Sequence, residues 1–185
     1  MPTVPEPEQG FAIWVTGLPA SGKSSVTRAL VAELAALGVH PEVLESDALR
    51  PILTPHATYR QEDRDTFYNI LVFIGELLTR HGVPVIFDAT ANRRSYRDQA
   101  RRKIAKFLEV YVDSPLELCM KRDPKGIYRR GMEGKARDGE AGQVPGLQAP
   151  YEAPEHPEIV AHGGEEAPED AARRILERLR ASRWI

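Results

Sequence analysis

Short apolar runs alternate along this chain with longer stretches in which apolar residues return every three or four positions. Phe11 to Thr16 is an apolar run of strand length. Ser24 to Leu37 follows with Val26, Leu30, Leu34 and Leu37 at helical spacing, and Gly38 closes it. The alternation then repeats. A strand is predicted at Val43-Leu44 and a long amphipathic helix over Arg60 to Arg80, with Phe67, Ile70, Leu71, Ile74, Leu77 and Leu78 along its buried side. A third strand is read over Val83 to Phe87, a basic helix over Tyr96 to Lys106, a fourth strand over Leu108 to Val112 and a short helix over Leu116 to Lys121. From Asp123 to Gly164 no period survives among the glycines, prolines and charges. The last helix, Pro168 to Arg180, sets Ala172, Ile175, Leu176 and Leu179 on one face. Strands alternating with helices predict an α/β domain, a parallel sheet covered on both faces.

At 185 residues the length suits one domain, since domains commonly run to about 100–200 residues. The Pro- and Glu-rich residues 1–10 read as a flexible leader and 11–185 as a single domain with an irregular segment over about 123–164. An aperiodic stretch longer than about 15 residues in a compact domain is functional or disordered. A net charge of -2 supplies no overall attraction for nucleic acid or an anionic membrane, so neither is expected as a partner. The leader lacks the basic start and apolar stretch of a signal peptide, and no apolar run approaches the roughly 20 residues of a membrane span. A cytoplasmic location is expected. Cys119 is the only cysteine, flanked by Leu118 and Met120, and reads as a packed thiol.

The strongest chemical signal lies between the first strand and the first helix. Gly17-Leu18-Pro19-Ala20-Ser21-Gly22-Lys23-Ser24, followed by Ser25, matches GxxxxGK[ST], and strand-then-helix is the setting that confirms the match. The glycines let the backbone curl so that successive amides point inward at phosphate oxygens. The helix N-terminus opening at Lys23 adds its partial positive charge. Lys23 is then expected on the β- and γ-phosphates and Ser24 on Mg²⁺. No Asn-Lys-x-Asp guanine reader is present, so ATP is the expected nucleotide. The fold expected from this motif is the three-layer, kinase-type P-loop NTPase fold, with the irregular C-terminal-half segment as a lid.

Two carboxylates follow strands and so fall on the phosphate-binding edge. Asp47 follows the second strand. It either caps the short helix after it or meets an acceptor hydroxyl, with metal support as a further role. Arg50, three residues on, shares its helix face and suits an anionic substrate. Asp88 ends the third strand and either holds a Mg²⁺-bound water or caps the next turn. Of Arg93, Arg94, Arg97, Arg101 and Arg102, most read as a solvated helix face, with Arg93 and Arg94 nearest the substrate. Arg122, Lys125, Arg129, Arg130, Lys135 and Arg137 make a basic flap able to neutralise transferring phosphate and exclude water, unless the segment is only a linker.

GLPASGKSS, the Asp47 to Arg50 step, Gly75-Glu76, PLELCMKRDPKGIY and PGLQAPYEAPEHPE together resemble the adenylylsulfate kinase family, from about Phe11 to Ala181. The resemblance implies transfer of the ATP γ-phosphate to the 3′-hydroxyl of adenylylsulfate, with Mg²⁺ and a homodimer. Carried over by position, Asp47 corresponds to the catalytic aspartate, Arg50 to a ligand of the phosphosulfate, Arg122 to the residue packed on adenine and Lys125 to part of the lid. The departures gather on the acceptor side. Read without gaps, two family arginines before Gly75-Glu76 are Val72 and Phe73 here, while Arg64 and Asn69 are displaced in register and stand as substitute substrate ligands. The family's Ile-Ser-Pro-Tyr-Arg is replaced within Ala89 to Arg97, its Phe-Thr-Gly-Ile by Val144 to Leu147, and extra residues occur around Gly131 to Gly134. Two alternatives remain open from the residues: a related kinase acting on another hydroxyl, and a nucleotide-binding regulator without transfer activity.

Overall fold

The computed structural model describes residues 8–56, 61–133 and 143–185. Five strands form one sheet: β1 (Ala12–Thr16), β2 (Glu42–Glu45), β3 (Val85–Asp88), β4 (Phe107–Asp113) and β5 (Ile159–His162). Their order is β2-β3-β1-β4-β5, and every pairing is parallel. The helices are α1 (Lys23–Ala36), α2 (Ser46–Leu53), α3 (Gln61–Arg80), α4 (Arg94–Lys103), α5 (Leu116–Arg122), α6 (Ile127–Met132) and α7 (Pro168–Ala181).

Strand alternation divides the core into two layers. Ile13, Val15, Ile86, Leu108, Val110 and Val112 face α1 and α7, which contribute Leu30, Leu34, Ile175 and Leu179. Ala12, Trp14, Val85 and Phe87 face α3 and α4 and pack on Phe67, Leu71, Val72 and Tyr96. Both faces of the central strands are therefore apolar, which is why β1 and β3 read as continuous hydrophobic runs. α3 lies so close to the sheet that a Cβ on Gly75 would sit 2.1 Å from the Phe87 ring. α1 ends where Gly38 takes φ 75°, a left-handed value that glycine adopts without penalty.

Most predicted elements are present with ends shifted by a residue or two, and the third strand runs from Val85 to Asp88 rather than from Val83. The irregular segment needs correction. Within it lie α6 and the edge strand β5, which pairs with β4 from Val110↔Ile159 to Asp113↔His162. Four residues between proline- and glycine-bearing turns are too few for periodicity to register. The buried stripe of α3 is also corrected: it runs through Arg64, Phe67, Tyr68, Leu71, Val72, Gly75 and Thr79, and Leu77 is exposed. The leader expected over 1–10 is described only from Glu8 onward, and Lys135 and Arg137 lie outside the described residues.

Candidate active site

The turn between β1 and α1 closes as its sequence demands. Gly22 has φ 108°, where a side chain is strained. A Cβ on Gly17 would lie 2.6 Å from the Val112 carbonyl oxygen and 2.7 Å from Ser21 Oγ. The loop is thereby pressed onto the end of β4. Lys23 Nζ donates to the carbonyls of Leu18 at 2.8 Å and Gly17 at 3.2 Å. Burial holds its pKa below the usual lysine value, opposed by the nearby charges of Asp88 and Asp47. Ser24 donates its hydroxyl to Asp88, whose own pKa burial pushes above the ordinary carboxylate range.

These groups line a cavity of ≈ 820 Å³ at the carboxyl ends of the strands. Pro19, Ala20, Ser21, Gly22, Lys23, Ser24 and Ser25 form its floor, with Gly17 and Leu18 just behind and bound to Lys23. Glu45 and Asp88 are register partners in the β2–β3 pairing. That pairing delivers Asp47, two residues past the strand, to the same cavity. Asp47 sits in the first turn of α2, while Glu45 occupies the N-cap position, so the capping reading of Asp47 is corrected. Lys125, between α5 and α6, places Nζ 2.5 Å from Asp47 Oδ2 and 3.9 Å from Glu45 Oε1. Arg122 reaches the far end of the cavity beside Gly164.

The remaining predicted ligands are dispersed. Arg50 stacks its guanidinium 4.0 Å above the Phe67 ring and 5.8 Å from that of Tyr68, held by the aromatic face of α3. Arg64 is buried and donates to the Gln143 carbonyl at 2.8 Å. Asn69 is exposed, and so is Arg93 at the N-cap of α4, so neither is brought to the cavity. Val72 is wholly buried in the core and Phe73 is 56% exposed, so the residues at the two family arginine positions do not line the cavity either.

Two features had weaker signals in the sequence. From the end of β5, His162, Gly163 and Gly164 turn against the phosphate loop, with Ser114 Oγ 2.8 Å from the Ser21 carbonyl oxygen and 3.0 Å from that of Gly163. A Cβ on Gly163 would meet that hydroxyl at 1.8 Å, so the Gly-Gly pair before the last helix was the available clue. The other feature overturns the solvated-face reading of α4. Arg97 is 1% exposed and pairs with Glu109, while Arg101 pairs with Glu158 and Arg94 with Glu155. These arginines fasten residues 152–158 to α4 and to Glu109 of β4.

The family profile described as Adenylylsulphate kinase matches residues 9–162. An adenylyl-sulfate kinase of Synechococcus sp. (strain JA-3-3Ab) is 37% identical over 177 residues, covering 96% of this chain and 98% of the relative. One from Microcystis aeruginosa is 40% identical over 172 residues, covering 93% and 92%. Among solved structures, the Mycobacterium tuberculosis APS kinase CysC in complex with AMPPNP and APS superposes with a TM-score of 0.85. It is 30% identical, covering 94% of this chain and 99% of that one.

Proposed function

This chain belongs to the adenylylsulphate kinase family, and from that premise we propose that it transfers the γ-phosphate of ATP to the 3′-hydroxyl of adenylylsulfate, giving 3′-phosphoadenylylsulfate. The observation that carries this reading is the convergence of Lys23, Ser24, Asp88 and Asp47 on one cavity, although they come from three separate segments. Lys23 and the loop amides bind and neutralise the phosphates. The mouth of the cavity, where Asp47 stands, receives the acceptor. Asp47 accepts the proton of the attacking hydroxyl, or aligns it with the γ-phosphate, at its Oδ2. Lys125 occupies that oxygen here and must yield it when the acceptor enters.

The donor set suits Mg²⁺. A hydroxyl and a carboxylate already in contact are hard oxygen ligands, and Mg²⁺ commonly takes one or two such groups together with water and substrate phosphates. Ser24 and Asp88 would hold it, Asp88 through water, and the ion would supply charge neutralisation on the phosphates. Arg122 is assigned to the adenine, and Arg50, Arg64 and Lys125 to the phosphosulfate as the lid closes. Residues 11–185 are read as one domain, cytoplasmic and homodimeric, the exposed Phe73 and Leu77 of α3 suiting a subunit contact. An assay coupling ADP release to adenylylsulfate, with AMP as control, tests the activity. Transfer to adenylylsulfate and not to AMP is expected, and equal turnover on both would refute the sulfate-specific reading. Sedimentation tests the dimer.

A further inference from the structure

Residues 150–158 are attached to the rest of the fold at several points, and a single side chain joins three of them. Arg97 Nε donates to Glu109 Oε1 on β4 at 2.6 Å. Its Nη1 donates to the Ala91 carbonyl and its Nη2 to the Glu152 carbonyl, the latter at 2.6 Å. One buried guanidinium therefore ties together the loop after β3, the underside of the sheet and the strap. Neighbouring contacts repeat the pattern. Asn92 Nδ2 donates to the Pro150 carbonyl at 3.2 Å, the Glu152 amide to the Asn92 carbonyl at 2.8 Å, and the Arg94 amide to Glu152 Oε2 at 2.8 Å. Further along, Arg101 grips Glu158, whose carboxylate also accepts the Glu109 amide at 2.7 Å.

What the strap holds in place is Tyr151. Its hydroxyl lies 3.0 Å from Thr16 Oγ1, and Thr16 donates its one hydroxyl proton to the Thr90 carbonyl at 2.6 Å. Tyr151 must therefore be the donor to Thr16. Burial holds its phenol protonated well above the usual tyrosine range, which keeps that proton available to donate. Thr16 is the residue before Gly17, and Thr90 lies two residues past Asp88 and lines the cavity. The chain of bonds Tyr151–Thr16–Thr90 thus clamps the root of the phosphate loop to the loop leaving β3. Even-numbered β1 residues face α3 and α4, so the clamp stands on the side of the sheet on which Leu49 and Leu53 of α2 also pack.

We propose that Arg97 and Tyr151 are positioning residues of the acceptor side. Arg97 holds the strap 150–158 against the loop after β3, and Tyr151, borne by the strap, sets the spacing between that loop and the phosphate loop. The inference rests on the acceptor being adenylylsulfate bound beside Asp47. Neither residue lines the cavity, and the phosphate loop is anchored separately by Ser114 on the Ser21 carbonyl, so losing the clamp frees the loop after β3 and is felt by the acceptor.

Steady-state kinetics on the full chain test this, with each substrate varied in turn for wild type, Tyr151→Phe and Arg97→Lys. Tyr151→Phe removes one hydroxyl and no charge. Its apparent KM for adenylylsulfate is expected to rise about fivefold, the equivalent of one modest hydrogen bond, while the KM for ATP stays within about twofold. Arg97→Lys keeps the charge but not the three-way fork, and a rise of about tenfold is expected. If Arg97→Lys does not fold, Tyr151→Phe decides alone. An unchanged acceptor KM in Tyr151→Phe, or a parallel rise for ATP, overturns the positioning role while leaving the kinase reading standing. A wild-type protein that does not phosphorylate adenylylsulfate overturns both.

Discussion

The nucleotide half of the cavity and the acceptor half are built by opposite means. Residues 17–25 are one contiguous stretch, a turn shaped by two glycines that leads into the first residues of α1 and presents its backbone amides. The proposed acceptor half brings together side chains from separate segments, Asp47 of α2 and Lys125 at the cavity and Arg50 and Arg64 outside it. Arg50 rests on Phe67, Arg64 on the Gln143 carbonyl and Asp47 on Lys125. A site made of backbone tolerates drift in its neighbours, whereas a site made of interlocked side chains can be rebuilt by a few substitutions. None of the departures from the family pattern falls on the phosphate loop, and those at Val72 and Phe73 lie outside the cavity.

Breaking the nucleotide half has the largest effect expected. Lys23→Ala removes the cation proposed to neutralise the transferring phosphate, and turnover should fall by about 10³-fold or more with the fold intact. Circular dichroism and a transfer assay check this, and near-wild-type turnover in a folded variant would exclude the mechanism. Asp47→Asn separates the two halves. It keeps shape and loses the proton acceptor, so kcat should drop about 10²-fold while ATP affinity, measured by calorimetry, changes little. A parallel loss of ATP binding would make Asp47 a nucleotide or metal ligand.

Arg50→Ala addresses the acceptor half alone. Adenylylsulfate binding in the presence of ADP and Mg²⁺ should weaken by about 1.5–3 kcal/mol, with little change for ATP. Smaller again is a packing effect remote from both halves. Gly75→Ala pushes a methyl into the Phe87 ring, and urea unfolding should show a loss of about 1–3 kcal/mol. The smallest is Phe73→Ser. Its side chain is 56% exposed on α3, so at concentrations where the chain is monomeric stability should move by less than about 0.5 kcal/mol and the acceptor KM hardly at all. A large rise in that KM would restore the residue to the acceptor pocket and undo the contrast drawn above.

What the linear sequence determined was everything carried by local repetition or contiguous spacing. The strand–helix alternation was legible because β1 and β3 are buried on both faces and so read as apolar runs. The phosphate loop was legible because each of its requirements is met within nine consecutive residues. Asp47 and Asp88 were placed on the correct edge by parallel topology alone. Only the tertiary structure decided the rest. Val72 lies in the core and Phe73 outside it because the pitch of α3 on Phe87, permitted by Gly75, sets which face is inward. β5 is defined by its pairing with the β4 edge, its four residues being too few to show a period. Arg97 looks in sequence like one of a row of solvated arginines. It is buried because the Ala91 carbonyl, Glu109 and the Glu152 carbonyl, 6, 12 and 55 residues away along the chain, converge on it. A buried charge is set by partners brought together from far along the chain, and no local pattern encodes them.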